Sequence, residues 1–515
     1  MAFIDGTIPL DHAILSVATF APVGGAVVLA AIPKRDEYLC KMWALGTSVF
    51  TLLCGLYVVL RFDYQTSEPQ LERTHEWIGV INSNYHVFID GMSLPLFLLS
   101  MVITTLCIIY SWNHWPEPKN PKAFLILMLL LETGMLGSFV AEDLILFFVF
   151  FELVLLPMYF MIGVWGGENR QYASLKFFLF TLFGSALMIL AFLALYFKGG
   201  NTFDIPTLIE ANLSSSLARS TGLFIFGGLF MGFAIKVPMF PFHTWLPDAH
   251  TQAPTVGSVI LAAVLLKLGT YGFIRIAIPI LPGAAREFAP WIAILATIGI
   301  IYGALGCLAQ KDMKRLIAFS SVAHMGFVML GIATLTDYGI NAAIFGMVSH
   351  GLITGMLFFV AGSVKDRFHT LEISRLGGLL TQAPRLGWIL GFCSMASLGL
   401  PGLAGFWGEF PAILSAFNPA EGLSVVLFRT CMVIASVGTV LAAGYLLWLF
   451  QRTAFGTAKS EWDGHDIADA HGLELAAWVP LLAGIVLFGI VPGLIFNITD
   501  PAVQATVEAV RALGR

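Results

Sequence analysis

The chain has 515 residues, of which 58% are hydrophobic and 11% charged, and its mean hydropathy is +0.84. Soluble domains carry about 25% charged residues, so this composition excludes a soluble globular protein and indicates an integral membrane protein. The net charge of −5 excludes little, because most charges fall between apolar segments. Six scattered cysteines without CxxC spacing predict small apolar core residues, not a disulfide framework or an iron–sulfur site.

Apolar segments recur along the whole chain, and a membrane helix needs roughly 20 such residues. The sequence predicts an all-α polytopic membrane protein with about fourteen transmembrane helices. The N-terminus lacks the basic start of a cleaved signal peptide, so we expect the first segment to be retained as a helix. The predicted spans, in chain order, are 13–32, 43–60, 92–111, 123–140, 144–165, 174–197, 221–243, 254–281, 290–309, 315–335, 340–363, 385–415, 424–450 and 472–498.

The segments between the spans are short and predict no soluble domain; we expect a surface helix over 499–515. Most lysines and arginines lie in the loops that follow odd-numbered spans. The positive-inside rule then places those loops in the cytoplasm or matrix and both termini on the outer side.

Ionisable residues inside predicted spans stand out, because a charge at the bilayer centre costs about 2.5–3.5 kcal/mol on insertion scales. Acids, lysines and histidines at similar depth on six helices are typical of a proton relay, and histidine titrates near physiological pH. Blander interpretations stay open: Glu152 and Lys236 as a structural ion pair, each histidine as a core group, and Glu132 and Asp143 as structural acids. The candidate relay residues are Glu152, Lys236, Lys267, His324, His350 and Glu409.

Two of these residues lie beside helix breakers. Pro238 follows Lys236, and Pro401, flanked by Gly399 and Gly402, precedes Glu409. Proline removes a helical hydrogen bond, and in lipid the freed carbonyl must face protein or water. Broken helices near the bilayer midplane are typical of transport sites, so the sequence predicts two broken helices, in spans seven and twelve.

The spacing of the candidate residues indicates an internal repeat. Glu152 and Lys236 are 84 residues apart, and His324 and Glu409 are 85 apart. Five is an odd number of helices, so a second five-helix copy would be inverted in the membrane. The predicted domains are 1–122, a first repeat at 123–281, an inverted repeat at 290–450, and a C-terminal helix and tail at 451–515.

Several motifs carry a family resemblance: KVPMFPFHTWLPDAHTQAPTVGSVILAAVLLKLGTYGFIR (236–275), IDGMSLPLF (89–97), FFELVLLPMYFMIGVWGG (150–167) and KDMKRLIAFSSVAHMGF (311–327). The chain resembles the antiporter-like membrane subunits of proton-pumping NADH:quinone oxidoreductase, respiratory complex I. Of the L, M and N types it resembles M, because it lacks a C-terminal lateral helix and carries His324, His350 and Glu409.

The resemblance implies a role for each candidate. Glu152 and Lys236 would be the coupled ion pair of the first half, and Lys267 the central relay lysine. His324 and then His350 would connect Lys267 to Glu409, the terminal group on the exit side. A proton would move along these residues when the electric field of a neighbouring subunit separates Glu152 from Lys236.

The resemblance also implies partners and a location. This chain would hold no redox centre, cofactor or metal; NADH, FMN, iron–sulfur clusters and quinone would belong to partner subunits. We expect the L-type and N-type subunits and membrane lipid as partners, and no nucleic acid. The expected location is the bacterial inner (plasma) membrane, with the mitochondrial inner membrane as an alternative.

Three alternatives to this function remain. The first is a subunit of a multisubunit sodium/proton antiporter with the same fold. The second is a haem-binding cytochrome that uses His324 and His350 as ligands. The third is a membrane scaffold whose ionic groups only fix helix packing.

Overall fold

A computed structural model describes residues 11–462 and 464–513. Its described residues include twelve helices long and apolar enough to cross a membrane. The predicted class, a multi-pass helical membrane protein, is therefore confirmed. The first six of these helices run, in chain order, as α1 (Ile14–Ala31), α2 (Glu37–Arg61), α3 (Leu94–Ser111), α4 (Pro121–Val140), α5 (Leu144–Leu153) continued by α6 (Leu155–Trp165), and α7 (Arg170–Lys198).

The central part of the chain contains the first of the two interrupted spans. After the short helices α8 (Ile205–Glu210) and α9 (Leu213–Ser216), α10 (Arg219–Lys236) is followed by a break and by α11 (Trp245–Gln252). The next spans are α12 (Thr255–Ile280), α13 (Pro282–Leu308), α14 (Met313–Ala333) and α15 (Asp337–Phe368). The hydrophobic windows of α12 and α15 are entirely buried, so these two helices form the centre of the molecule.

The C-terminal part repeats this pattern. The short helix α16 (Leu379–Gln382) leads to α17 (Pro384–Ser397), a break, and α18 (Ala404–Ser415). Then follow α19 (Val425–Ala454), α20 (Gly472–Ile490) and α21 (Gly493–Leu513). The predicted last span, 472–498, was drawn too long, because α20 ends at Ile490 and a new helix begins beyond Pro492.

In each of the two predicted five-helix groups, the fourth span is the interrupted one: α10 and α11 in the first, α17 and α18 in the second. This correspondence supports the inverted repeat, which stays a prediction together with the domain boundaries.

The connector between α2 and α3 departs from the all-α prediction. It contains an antiparallel hairpin of β1 (Gln70–Ile78) and β2 (Ser83–Ile89), with Asn82 in the left-handed conformation between the strands. This hairpin is an addition to the helical fold, since the connector is long enough to fold back and pair its own backbone groups.

Polar side chains fasten this hairpin to the ends of the spans. His86 contacts Asp204 (Nδ1–Oδ1, 2.5 Å) and Glu72 (Nε2–Oε1, 2.8 Å). Burial opposes protonation of His86, but hydrogen bonds to these carboxylates outweigh it and raise the pKa of the imidazole. Asp143 accepts hydrogen bonds from Ser83 and from the first turn of α5, so it is an N-cap.

A close contact joins α20 to the break between α17 and α18. A Cβ atom placed on Gly489 would lie 2.3 Å from the carbonyl oxygen of Gly402 and 2.4 Å from the Cα of Leu403. Only a glycine permits this approach, because both obstructing atoms belong to the backbone.

We predict that Gly489→Ala lowers the thermal stability of the purified protein in detergent. Overpacking of this kind costs about 1–3 kcal/mol. The matched control is Gly444→Ala in α19, where nothing lies within 4 Å of the added Cβ. Equal melting temperatures for the two variants would contradict the close contact.

Candidate functional site

Four of the six candidate residues form a line of contacts inside the helix bundle. The Nζ of Lys267 (α12) lies 2.7 Å from Nδ1 of His350 (α15). The His350 ring lies 5.9 Å, centroid to centroid, from that of His324 (α14). His324 Nδ1 lies 2.5 Å from Oε1 of Glu409 (α18). The expected order of the histidines was wrong: His350 contacts the lysine, and His324 contacts the terminal acid.

The backbone around Lys267 is irregular in a way that serves this side chain. Two π-helical turns, Leu261–Leu265 and Phe273–Ala277, flank it within α12. Such turns occur often at functional sites. The carbonyl of Ala262 accepts a hydrogen bond from Lys267 Nζ at 2.5 Å, so the fully buried amine has a backbone and a side-chain partner.

A small cavity of about 20 Å³ is lined by His324, His350 and Glu409. That volume is enough for about one water molecule. His350 Nε2 and Glu409 Oε2 have no hydrogen-bond partner among the described residues. The hydroxyls of Ser397 and Tyr445 lie 3.1 and 3.3 Å from His324 Nε2. Together with Lys267, the site therefore joins donors and acceptors on six helices, with room for a bridging water.

The remaining pair, Glu152 and Lys236, forms no mutual hydrogen bond among the described residues, and its role as a coupled ion pair stays a prediction. Glu152, on α5, accepts a hydrogen bond from the hydroxyl of Ser185 on α7. The Nζ of Lys236, at the end of α10, lies 4.6 Å from the centroid of the Phe151 ring. The side chain of Lys236 is buried, and its Nζ has no hydrogen-bond partner among the described residues. The charges of Glu152 and Lys236 still interact electrostatically.

Both predicted helix breaks lie beside site residues. In the first, which contains Pro238, the Nε1 of Trp245 donates to the carbonyl of Ile235 at 2.9 Å. In the second, which contains Pro401, Gly399 and Gly402 adopt positive φ angles of +80° and +94°. These are left-handed conformations that favour glycine.

The two tryptophans that follow the breaks stabilise them differently. Trp245 donates to the end of its own broken helix, whereas Trp407 Nε1 donates to the carbonyl of Gly489 on α20 at 2.8 Å. An unpaired carbonyl in the membrane costs free energy, so each indole N–H removes such a cost.

Sequence reasoning missed a buried histidine, His250 on α11. Neither of its ring nitrogens has a hydrogen-bond partner among the described residues, and its ring stacks on Phe358 at 4.6 Å between centroids. It lies in the electrostatic field of both Lys267 and Lys314. The second histidine of HTWLPDAH was the available signal, but nothing in the sequence distinguished it from a loop residue.

A cavity of about 570 Å³ lies at the loop end of α14 and α15, and its lining includes Gln252, the last residue of α11, which carries His250. Lys314, Lys365 and Asp366 also line it, together with Ala253, whose carbonyl accepts a hydrogen bond from Lys314.

A second missed cluster surrounds Arg275, which lies near the end of the predicted span 254–281. Arg275 is buried at the end of α12 and contacts Asp90 (Nη2–Oδ2, 2.5 Å) and Glu142 (Nε–Oε1, 3.4 Å).

Glu132, in α4, is fully buried, and neither carboxyl oxygen has a hydrogen-bond partner among the described residues.

The haem-binding alternative does not fit the histidines. His324 and His350 are engaged by Glu409 and Lys267, and the cavity beside them measures about 20 Å³. Cofactor pockets measure about 300–1,000 Å³. In the described part of the chain, no group of three or more His, Cys, Asp or Glu residues is arranged to hold a metal ion.

Comparisons with known proteins agree with this geometry. Residues 141–435 match the family profile "NADH:quinone oxidoreductase/Mrp antiporter, TM", and residues 41–138 match "NADH-ubiquinone oxidoreductase chain 4, amino terminus". The chain is 41% identical to NADH-quinone oxidoreductase subunit M of Rhodobacter capsulatus, covering 96% of each chain. It is 38% identical to NADH-ubiquinone oxidoreductase chain 4 of Arabidopsis thaliana, covering 96% of this chain and 97% of the other.

Two solved structures share the fold. A chain of respiratory complex I from Thermus thermophilus superimposes with a TM-score of 0.85 at 29% identity, covering 96% of this chain and 99% of that one. A chain of the Mrp complex from Dietzia sp. superimposes with a TM-score of 0.81 at 19% identity, covering 99% and 100%. The second likeness shows the fold alone.

We predict that Trp245→Phe lowers the melting temperature of the protein in detergent. The variant keeps an aromatic ring but leaves the Ile235 carbonyl unpaired, which costs about 1–3 kcal/mol. Trp388→Phe is the matched control, because Trp388 is 65% exposed on α17. If both variants melt at the same temperature, the Trp245 hydrogen bond does not stabilise the break.

Proposed function

The chain belongs to the family of membrane subunits shared by NADH:quinone oxidoreductases and Mrp antiporters, and from that premise we propose that it is the M-type, proton-translocating subunit of respiratory complex I. The observation that carries the proposal is the contact line Lys267–His350–His324–Glu409 inside the membrane. Such a line of titratable groups is the usual form of a proton path.

The first step concerns Glu152 and Lys236. When Glu152 is anionic and close, its charge favours the protonated amine of Lys236. When the two separate, the amine is left in an apolar setting that disfavours its charge, and it releases the proton. The field of a neighbouring subunit would drive this separation, since fields act strongly in a low dielectric.

The second step moves a proton along the line of contacts. Protonated Lys267 donates from Nζ to His350 Nδ1. A proton then leaves His350 from Nε2 and crosses the small cavity, which has room for about one water molecule, to reach His324. Nδ1 of His324 then donates to Glu409 Oε1. The break before α18 lets water reach Glu409 from the other side.

Lys267 would be reloaded from the side of the membrane that carries Lys314, Lys365 and Asp366. These residues line the cavity that begins where α11, the helix of His250, ends. The positive-inside rule places this end in the cytoplasm. Protons would therefore be taken up beside His250 and released beyond Glu409.

The energy would come from quinone reduction in partner subunits. NADH, FMN, the iron–sulfur clusters and quinone would all be bound there, and this chain would supply proton transfer alone. The L-type and N-type subunits would be its neighbours in the membrane. We place the complex in a bacterial inner membrane, with both termini of this chain on the outer side.

We predict that Glu152→Gln and Lys236→Ala each lower NADH-driven proton uptake into inverted membrane vesicles by at least about tenfold. This factor corresponds to about 1.4 kcal/mol on the barrier. Quinone-linked NADH oxidation should fall in parallel, while NADH oxidation by an artificial acceptor, which needs only the redox subunits, stays unchanged. A native gel checks assembly.

The matched controls are Glu210→Gln and Lys198→Ala, which change exposed residues outside the site. Wild-type pumping by both site variants would contradict the proposal and leave the pair a structural role. Running the assay with and without sodium separates the two functions of the family, because a sodium/proton antiporter would require sodium.

A further inference from the structure

The hydroxyl of Ser185 binds the carboxylate of Glu152 from a third helix. Ser185 lies on α7 and is buried, and its Oγ donates to Oε1 of Glu152. A hydrogen bond from a hydroxyl to a carboxylate is stronger than one between neutral groups. Ser185 therefore competes with Lys236 for the same carboxylate.

Lys236 is stabilised separately in the same arrangement. Its Nζ lies over the face of Phe151, the residue before Glu152, and has no hydrogen-bond partner among the described residues. The negative face of an aromatic ring attracts a desolvated cation. The ring attracts a cation less strongly than a carboxylate does, so it holds the amine in place while separation from Glu152 still favours release of the proton.

Ser185 differs from the other hydroxyl residues of α7. Ser174 and Thr181 donate to carbonyls of their own helix, Gln171 (3.1 Å) and Phe177 (2.8 Å). This is the ordinary use of such hydroxyls in a helix. Ser185 donates to Glu152 on α5 instead.

The packing of α7 brings Ser185 to this position. A Cβ on Gly184 would lie 3.4 Å from the Cα of Gly232 on α10, and a Cβ on Gly232 would lie 2.7 Å from the Cβ of Met188 on α7. These two glycines let α7 and α10 approach closely, one turn from Lys236. The surface of α7 that carries Gly184 and Ser185 therefore faces both α10, the helix of Lys236, and Glu152 on α5.

We propose that Ser185 is a positioning residue that holds the Glu152–Lys236 pair in its separated state. The inference rests on the proposed function, in which separation of the pair releases a proton. Glu152 alternates between two partners. When Glu152 is bound to Ser185, Lys236 is ready to release its proton; when Glu152 is bound to Lys236, the lysine keeps its proton. Removal of the hydroxyl shifts the equilibrium between the separated state and direct contact toward direct contact by roughly tenfold or more.

The test uses the assembled complex in membranes. Ser185→Ala should lower the kcat of quinone-linked NADH oxidation and of proton uptake by at least about threefold, because the separated state is less populated. The KM values for NADH and quinone should stay unchanged, and Ser185→Thr, which keeps a hydroxyl, should restore most of the rate. Ser174→Ala makes the same chemical change on the same helix and should match wild type.

A second background isolates the route of action. Because Ser185 acts through the carboxylate, Ser185→Ala should have no further effect in a Glu152→Gln chain. The inference is overturned if Ser185→Ala turns over as fast as Ser174→Ala, if Thr fails to restore the rate, or if the Ser185 and Glu152 effects add. When Glu152→Gln and Lys236→Ala pump like wild type, the proposed function fails, and this inference fails with it.

Discussion

The contact between the amine of Lys267 and the imidazole of His350 is the interaction on which the site depends. Lys267 is fully buried at this depth, so its amine needs polar partners from the protein. The structure supplies two, the His350 ring and the Ala262 carbonyl, which belongs to a π-helical turn of the same helix. The hydrophobic windows of α12 and α15 are entirely buried, so this contact lies at the centre of the molecule.

The two broken helices lie beside site residues, and hydrogen bonds limit the energetic cost of each break. Each break frees backbone groups, and each is followed by a tryptophan whose N–H binds a carbonyl. The two solutions differ, since Trp245 binds its own helix and Trp407 binds α20. The first break is therefore stabilised within one span, and the second depends on packing against the C-terminal helices.

Much of this architecture could be predicted from the sequence. Long apolar segments predicted spanning helices because lipid leaves the backbone little choice, and six ionisable residues stood out because charges are rare at such depth. The β1–β2 hairpin, the order of His350 and His324, and the separation of Glu152 from Lys236 could not be predicted. These depend on side-chain rotamers and on neighbours distant in sequence, such as Ser185. His250 and Arg275 were missed for a related reason: their depth became apparent only once the helix ends were known.

The central claim is that protons pass through Lys267, and one substitution tests it most directly. Lys267→Met has a similar volume but no titratable group, so a scaffold would tolerate it. The measurement is the number of protons taken up per NADH oxidised by the variant complex in vesicles, with assembly verified by artificial-acceptor activity. The account predicts that quinone-linked turnover and proton uptake fall together by at least about tenfold. Wild-type turnover and an unchanged ratio would contradict it, because the proton path would then avoid the centre of the line.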